Sequence, residues 1–171
     1  MAKFDLIGLG NALVDSEFHV TDSFLKKKGF EKGTMHLVDS DEQTNLLNSL
    51  EKEYGKPSLA CGGSATNTIF AASILGSSCS YICKVGNDKN GNFYLDDLSD
   101  AGVNIDHSVM LDSNINSGTC TVMVSPDAER TMSTCLGISS DLSATDVADE
   151  IFNDSKLISV SYTHLTLPTI R

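Results

Sequence analysis

The sequence predicts an α/β protein, with a mostly parallel sheet, flanking helices and a small β lid beside them. Three observations predict it. Apolar strand-like runs alternate with helical patterns from Lys3 to Val160, the order that builds a parallel sheet. Segments 17–20, 34–38, 119–124 and 130–135 instead alternate polar and apolar residues, as half-exposed strands do, and suit a separate small sheet. Between the two sets, Cys61-Gly62-Gly63-Ser64-Ala65-Thr66-Asn67 packs a strand end, a glycine corner and a helix start together.

The elements follow in order. Lys3 to Gly10 reads as a buried strand running into a glycine turn. Glu17–Val20 and Thr34–Val38 are alternating strands. Ser40 is the expected N-cap of a helix to Tyr54, with Leu46, Leu47 and Leu50 on its apolar face and Gly55 as its stop. Ser58–Cys61 is a short apolar run, and the helix behind the glycine corner ends at Gly76. Cys79–Val85 is one strand, Asn92–Ala101 a helix, and Val103–Leu111 extended. Gly118–Val124 and Arg130–Cys135 form a hairpin across Ser125-Pro126-Asp127-Ala128-Glu129. Ser143 or Thr145 caps a short helix through Phe152, and Lys156–Val160 is the last strand. Residues 1–160 are one domain, with lid strands near 14–20, 34–38 and 118–135. Residues 161–171 resemble a translated adaptor junction and are expected to be non-native.

Bulk properties narrow the function. With 40% hydrophobic and 20% charged residues, the chain has the make-up of a soluble globular domain. Its net charge of −11 and its lack of a basic patch beyond Lys26-Lys27-Lys28 argue against nucleic-acid and anionic-membrane partners. No apolar run approaches the ~18 residues of a membrane helix. No signal-peptide core follows Met1, so a cytoplasmic location is expected. Five cysteines, an odd number, read as free buried thiols, and the four histidines are scattered, so no metal site is expected.

Candidate site residues cluster at strand ends. Gly8-Leu9-Gly10 lacks the third glycine of a dinucleotide fingerprint, because Leu13 stands there, and no Gly-Lys-Ser/Thr occurs. Asp15 follows the first strand's C-terminal end, where α/β folds place ligands, and a carboxylate can accept from two vicinal hydroxyls. With Asn11, Gly62, Gly63 and Asn67 it forms a set suited to a polyol. Arg130 is either a surface hairpin residue or an anion clamp reaching in from the lid.

Gly8-Leu9-Gly10-Asn11-Ala12-Leu13-Val14-Asp15 resembles the opening of the PfkB (ribokinase-like) carbohydrate and nucleoside kinases. Lys32-Gly33-Thr34-Met35 is similar to the next segment of their adenosine-kinase-like bacterial members. Gly62 to Asn67, with Gly76 and Gly86, resembles the family's first signature. Lys84 to Gly91, Asp100 to Val103, Gly118-Thr119-Cys120 and Glu129 to Gly137 continue the match in order, over about residues 3–160. The resemblance implies a Rossmann-like α/β layer with a β lid, and phosphoryl transfer from ATP, with Mg2+, to a primary hydroxyl of adenosine or a ribose-type sugar. It implies that Asp15 holds ribose hydroxyls with Asn11, Gly63 and Asn67, that Ser64 lies in the same loop, that Met35 faces the substrate, and that Arg130 lies near the transferred phosphate. Leu13 and Leu37 are apolar lid residues suited to a purine. The family's catalytic Gly-Ala-Gly-Asp motif does not occur in this sequence. The chain is therefore expected to be an inactive substrate-binding half, with no ATP or metal of its own and an unprotected edge strand. The rival readings are a fructose- or ribose-type sugar kinase and a non-catalytic sugar- or nucleoside-binding module. The sequence leaves the oligomeric state open.

Overall fold

The computed structural model describes residues 2–106, 108–111 and 114–161. Its α/β layer is built on a parallel three-stranded sheet ordered β10-β1-β5, from β1 (Phe4–Leu9), β5 (Cys79–Ile82) and β10 (Ser155–Val160). Helices α3 (Ser64–Ile74) and α4 (Lys89–Asp100) enclose a core of Ile69, Tyr81, Tyr94 and Leu98. The expected strand 79–85 divides at Cys83. Past that point β6 (Lys84–Gly86) leaves β1 and pairs in parallel with β7 (Val109–Leu111), the part of 103–111 that is strand. β10 has β1 as its one strand neighbour among the described residues, and Leu157 and Val160 on it are exposed, as expected of an edge.

The lid is a five-stranded sheet ordered β3-β9-β8-β2-β4, from β2 (Leu13–His19), β3 (Met35–Leu37), β4 (Ser58–Gly62), β8 (Gly118–Val124) and β9 (Arg130–Cys135). The β8–β9 hairpin is as expected. β4 is an addition to the expected lid: it runs antiparallel to β2, pairing Leu13 with Gly62 and Asp15 with Ala60. The alternation in these strands also has a different cause from solvent exposure. The polar alternates Thr121, Thr131 and Ser133 are 0% exposed, whereas Met35 and Leu37 are 44% and 50% exposed. The polar face is buried beneath α2 (Ser40–Tyr54), whose Gln43 donates to Thr121 Oγ1 (3.0 Å) and accepts from Ser133 Oγ (3.1 Å). Phe18, Phe24, Leu25, Leu46, Leu50 and Met123 complete that buried layer.

Helix ends refine the sequence reading. Asp39, not Ser40, caps α2. Its carboxylate accepts from Glu42 N–H (2.8 Å) and Glu42 accepts from Asp39 N–H, a reciprocal pair that fixes the start one residue earlier. α1 (Asp22–Lys28) escaped the sequence reading. It is capped by Thr21, closed by Gly29 at φ 77°, and carries Lys26, Lys27 and Lys28 in its last turn, where they meet the helix dipole. Likewise α4 begins at Lys89 rather than Asn92, because Asp88 caps it. The single helix expected through Phe152 is one 3₁₀ turn (Ala144–Asp146), capped by Ser143, and α5 (Glu150–Asn153), and a further 3₁₀ turn (Gly137–Asp141) precedes it.

Gln43→Ala would leave two fully buried hydroxyls without their partner. Chemical denaturation is expected to show a loss of about 2–4 kcal/mol. A loss below about 0.5 kcal/mol, the range of surface substitutions, would contradict this role for the residue.

Candidate functional site

The other face of the lid carries the candidate site. Strand register lines up Ala60, Asp15, Cys120, Thr134 and Leu37, one residue from each strand. One step along, Met132 of β9 lies beside Met35 of β3. This floor faces a wall made by the β4–α3 corner and by Asn11 in the β1–β2 connection. Between them lies a cavity of about 340 Å³, at the lower end of the ~300–1,000 Å³ usual for small-molecule sites. Asn11, Asp15, Met35, Gly63, Ser64, Asn67 and Arg130 all line it. Leu13 and Leu37 line it too. A larger cavity of about 540 Å³ lies between α2 and the start of α4 and contains none of these residues.

Gly62 does not line the cavity; it stands behind Asp15. A Cβ at Gly62 would collide with both Asp15 carboxylate oxygens, so glycine is what lets the carboxylate lie against β4. Gly63 is held at φ 106°, and a Cβ there would come within 2.7 Å of Asn11 O. The two glycines therefore serve different ends. One makes room for an acid, and the other lets the chain turn into α3 beside Asn11.

Burial pushes the Asp15 carboxyl up to about 6; Arg130 opposes the shift and Glu17 adds to it. Among the described residues no hydrogen bond or ion pair ties the side chain of Asp15 or of Arg130, apart from that long-range attraction. Asn11 has a buried side-chain oxygen with no donor. An acid and a guanidinium thus share one cavity with their side-chain hydrogen-bonding capacity unspent. They can accept from hydroxyls on one side and donate to an anion on the other.

Sequence reasoning missed Cys120, Met132, Thr134 and Leu136, which also line the cavity. Three of them were within reach: stepping by two from Arg130 gives 132, 134 and 136, the period of a strand face. Cys120 needed the β2–β8 register, which no local pattern encodes. Ser161, assigned to the tail, extends the β10–β1 pairing by donating to Leu9 O (3.1 Å) and reaches the cavity rim. The rest of that tail, 162–171, lies outside the described residues.

Residues 34–169 match the pfkB family of carbohydrate kinases, and the chain belongs to that family. It is similar to adenosine kinase 2 of Arabidopsis thaliana, 30% identical over 122 residues, which cover 70% of this chain and 34% of that protein. It is also similar to a ribokinase of Dictyostelium discoideum, 36% identical over 81 residues, covering 47% of this chain and 25% of that one. The crystal structure of adenosine kinase from Sinorhizobium meliloti superimposes with a TM-score of 0.83 at 34% identity, over 93% of this chain and 47% of that chain. The fold expected from the sequence is thus the family's fold, and the chain spans about a third or less of the curated relatives it matches. Among the described residues no helix is long and apolar enough to cross a membrane.

The Asp15 shift has a definite consequence for stability. Below the ordinary value of 3.8 the acid is neutral in both folded and unfolded chains. Between 3.8 and about 6 the unfolded chain ionises freely while the folded one resists, so a cost accrues as pH rises and then levels off. Asp15→Asn is expected to stabilise the chain at pH 7 by roughly 1–2 kcal/mol, allowing for the group's partial solvation, with a smaller gain at pH 5. A gain that grows as pH falls would refute the assignment. Gly62→Ala should expel the carboxylate from its slot, and an NMR titration should then find Asp15 nearer the ordinary range than in the parent chain. An unchanged titration would show that the slot does not set the shift.

Proposed function

We propose that this chain is the substrate-binding half of an ATP-dependent kinase that phosphorylates a primary hydroxyl of adenosine or a ribose-type sugar, and that the chain alone does not transfer phosphate. The observation that carries the reading is the half-buried Asp15 carboxylate, whose oxygens have no protein donor, in one small cavity that Asn11 and Asn67 also line. Two vicinal hydroxyls supply the donors these acceptors lack, and they compensate the desolvation that raises the acid. Gly63, Ser64 and Asn67 border the same space, where hydroxyl oxygens could accept from Asn67. Met35, Leu37 and Met132 give an apolar, sulfur-rich surface suited to a purine ring. The names of the Arabidopsis and Sinorhizobium relatives favour adenosine, and that of the Dictyostelium relative favours ribose.

For the family's reaction Arg130 is placed to offset charge on a phosphoryl group, while the lid positions the hydroxyl that accepts it. ATP and Mg2+ are implied by the family. Among the described residues Arg130 is the one cationic side chain lining the cavity, and no three His, Cys, Asp or Glu side chains converge. These residues do not fit a triphosphate cradle or a divalent-ion site, so no step is routed through either group.

Calorimetry decides the substrate side. Adenosine is expected to bind this chain more tightly than 2′,3′-dideoxyadenosine, with Asp15→Ala lowering adenosine affinity at least tenfold, about 1.4 kcal/mol. Equal binding of both ligands would sink the hydroxyl-reading role. A coupled assay with ATP, adenosine and ribose tests the other half, and turnover by this chain alone would overturn the claim that it is incomplete.

A further inference from the structure

Helix α4 lends no residue to the cavity, yet it is bonded to both of the cavity's walls. At its N-cap, the Asp88 carboxylate accepts from Ser117 N–H (2.7 Å), Ser117 Oγ (2.9 Å) and Gly91 N–H (2.7 Å). Ser117 is the residue before β8, and its hydroxyl also accepts from Gly86 N–H (2.9 Å). The packing admits little slack. A Cβ at Gly91 would collide with Gly86 O, and one at Gly118 would come within 2.6 Å of Ala12 O and 2.7 Å of Leu136 O. Asn116 O accepts from Ile138 N–H (2.9 Å), which ties the exit of β9 to the same knot. The roots of β2, β8 and β9 therefore meet where Asp88 holds Ser117.

Further along the same helix, the buried Tyr94 hydroxyl bonds to Thr66 Oγ1 and donates to Gly62 O (3.3 Å). Those two residues belong to the opposite wall, the glycine corner and the first turn of α3. Tyr94 O also accepts from Cys61 Sγ (3.4 Å). One rigid helix thus grips the floor through its cap and the corner through Tyr94.

We propose that Asp88 and Tyr94 are positioning residues that set the distance between the Asp15-bearing floor and the Gly63–Asn67 corner, and so the fit of a vicinal diol between them. This rests on the substrate reading above, since the diol is the ligand that spans both walls. It also gives a use to the Lys84–Gly91 segment, which no site residue explains. Gly86 and Gly91 let the backbone close around Ser117, and Asp88 supplies the acceptors. Asn at position 88 would turn an N–H group towards the Ser117 N–H, and Phe at position 94 would remove the hydroxyl while keeping the ring.

The test compares two ligands and a ligand-free measurement. Asp88→Asn and Tyr94→Phe are each expected to weaken adenosine binding roughly tenfold while leaving 2′,3′-dideoxyadenosine within about twofold, because only the diol spans both walls. Equal weakening of both ligands, or none, overturns the proposal. In hydrogen exchange without ligand, Asp88→Asn should quicken exchange at Gly91, Ser117 and the start of β8, and Tyr94→Phe at Thr66 and Asn67, with Leu6–Leu9 of β1 unchanged. Acceleration spread equally into β1 would mean general destabilisation and would also overturn it. If the parent chain binds neither ligand, the substrate reading fails, and hydrogen exchange still decides whether α4 holds the two walls.

Discussion

A carboxylate held partly out of water, with no protein partner, costs folding free energy, and most of the lid's local structure is arranged around that cost at Asp15. Gly62 has no side chain because the carboxylate occupies the space one would need. β4 pairs with β2 so that this glycine lies beside the acid. Arg130, two strands away on β9, supplies long-range attraction without forming the ion pair that would consume the acid's acceptors. A satisfied aspartate would be better for stability. Leaving it unsatisfied is the kind of local inconsistency that marks a site rather than a scaffold.

The neighbouring scaffold answers that cost by pairing its own buried polar groups. On the opposite face of the same sheet, Gln43 engages Thr121 and Ser133 so that buried polar atoms are paired across the α2 interface. At the lid root, every oxygen of Asp88 has a donor. The unpaired oxygens of Asp15 lie at the cavity, while the polar groups of the α2 interface and of the lid root are committed.

What the sequence revealed followed from local periodicity and turn chemistry. The β8–β9 hairpin, the glycine corner and the strand alternation were legible because each is encoded within a few residues. The placement of β4 in the lid and of Cys120 beside Asp15 was not, because both depend on pairing between strands distant in the chain. Thr21 and Gly29 bracket α1 as a cap and a stop, a signal that the charge run Lys26-Lys27-Lys28 obscures in the sequence. The division of 79–85 at Cys83 is invisible in the local pattern, since both halves are buried and only their strand partners differ.

The alternation itself shows how a correct pattern can carry a wrong cause. Thr119, Thr121, Thr131 and Ser133 look like residues for water, and a period-two polar stripe ordinarily marks a solvated face. Here the stripe lies under or beside a helix that brings its own amide, and the mixed face with Met35, Leu37 and Asp15 is the one left open. Hydroxyls suit the buried face because they are small enough for α2 to approach closely and polar enough to fix its register through Gln43. An all-apolar face would bury as well but would leave the helix free to slide along the sheet. The open face is mixed, with Met35 and Leu37 exposed beside the half-buried Asp15. Both faces of this sheet carry polar residues, and only the partners of those residues tell the two faces apart.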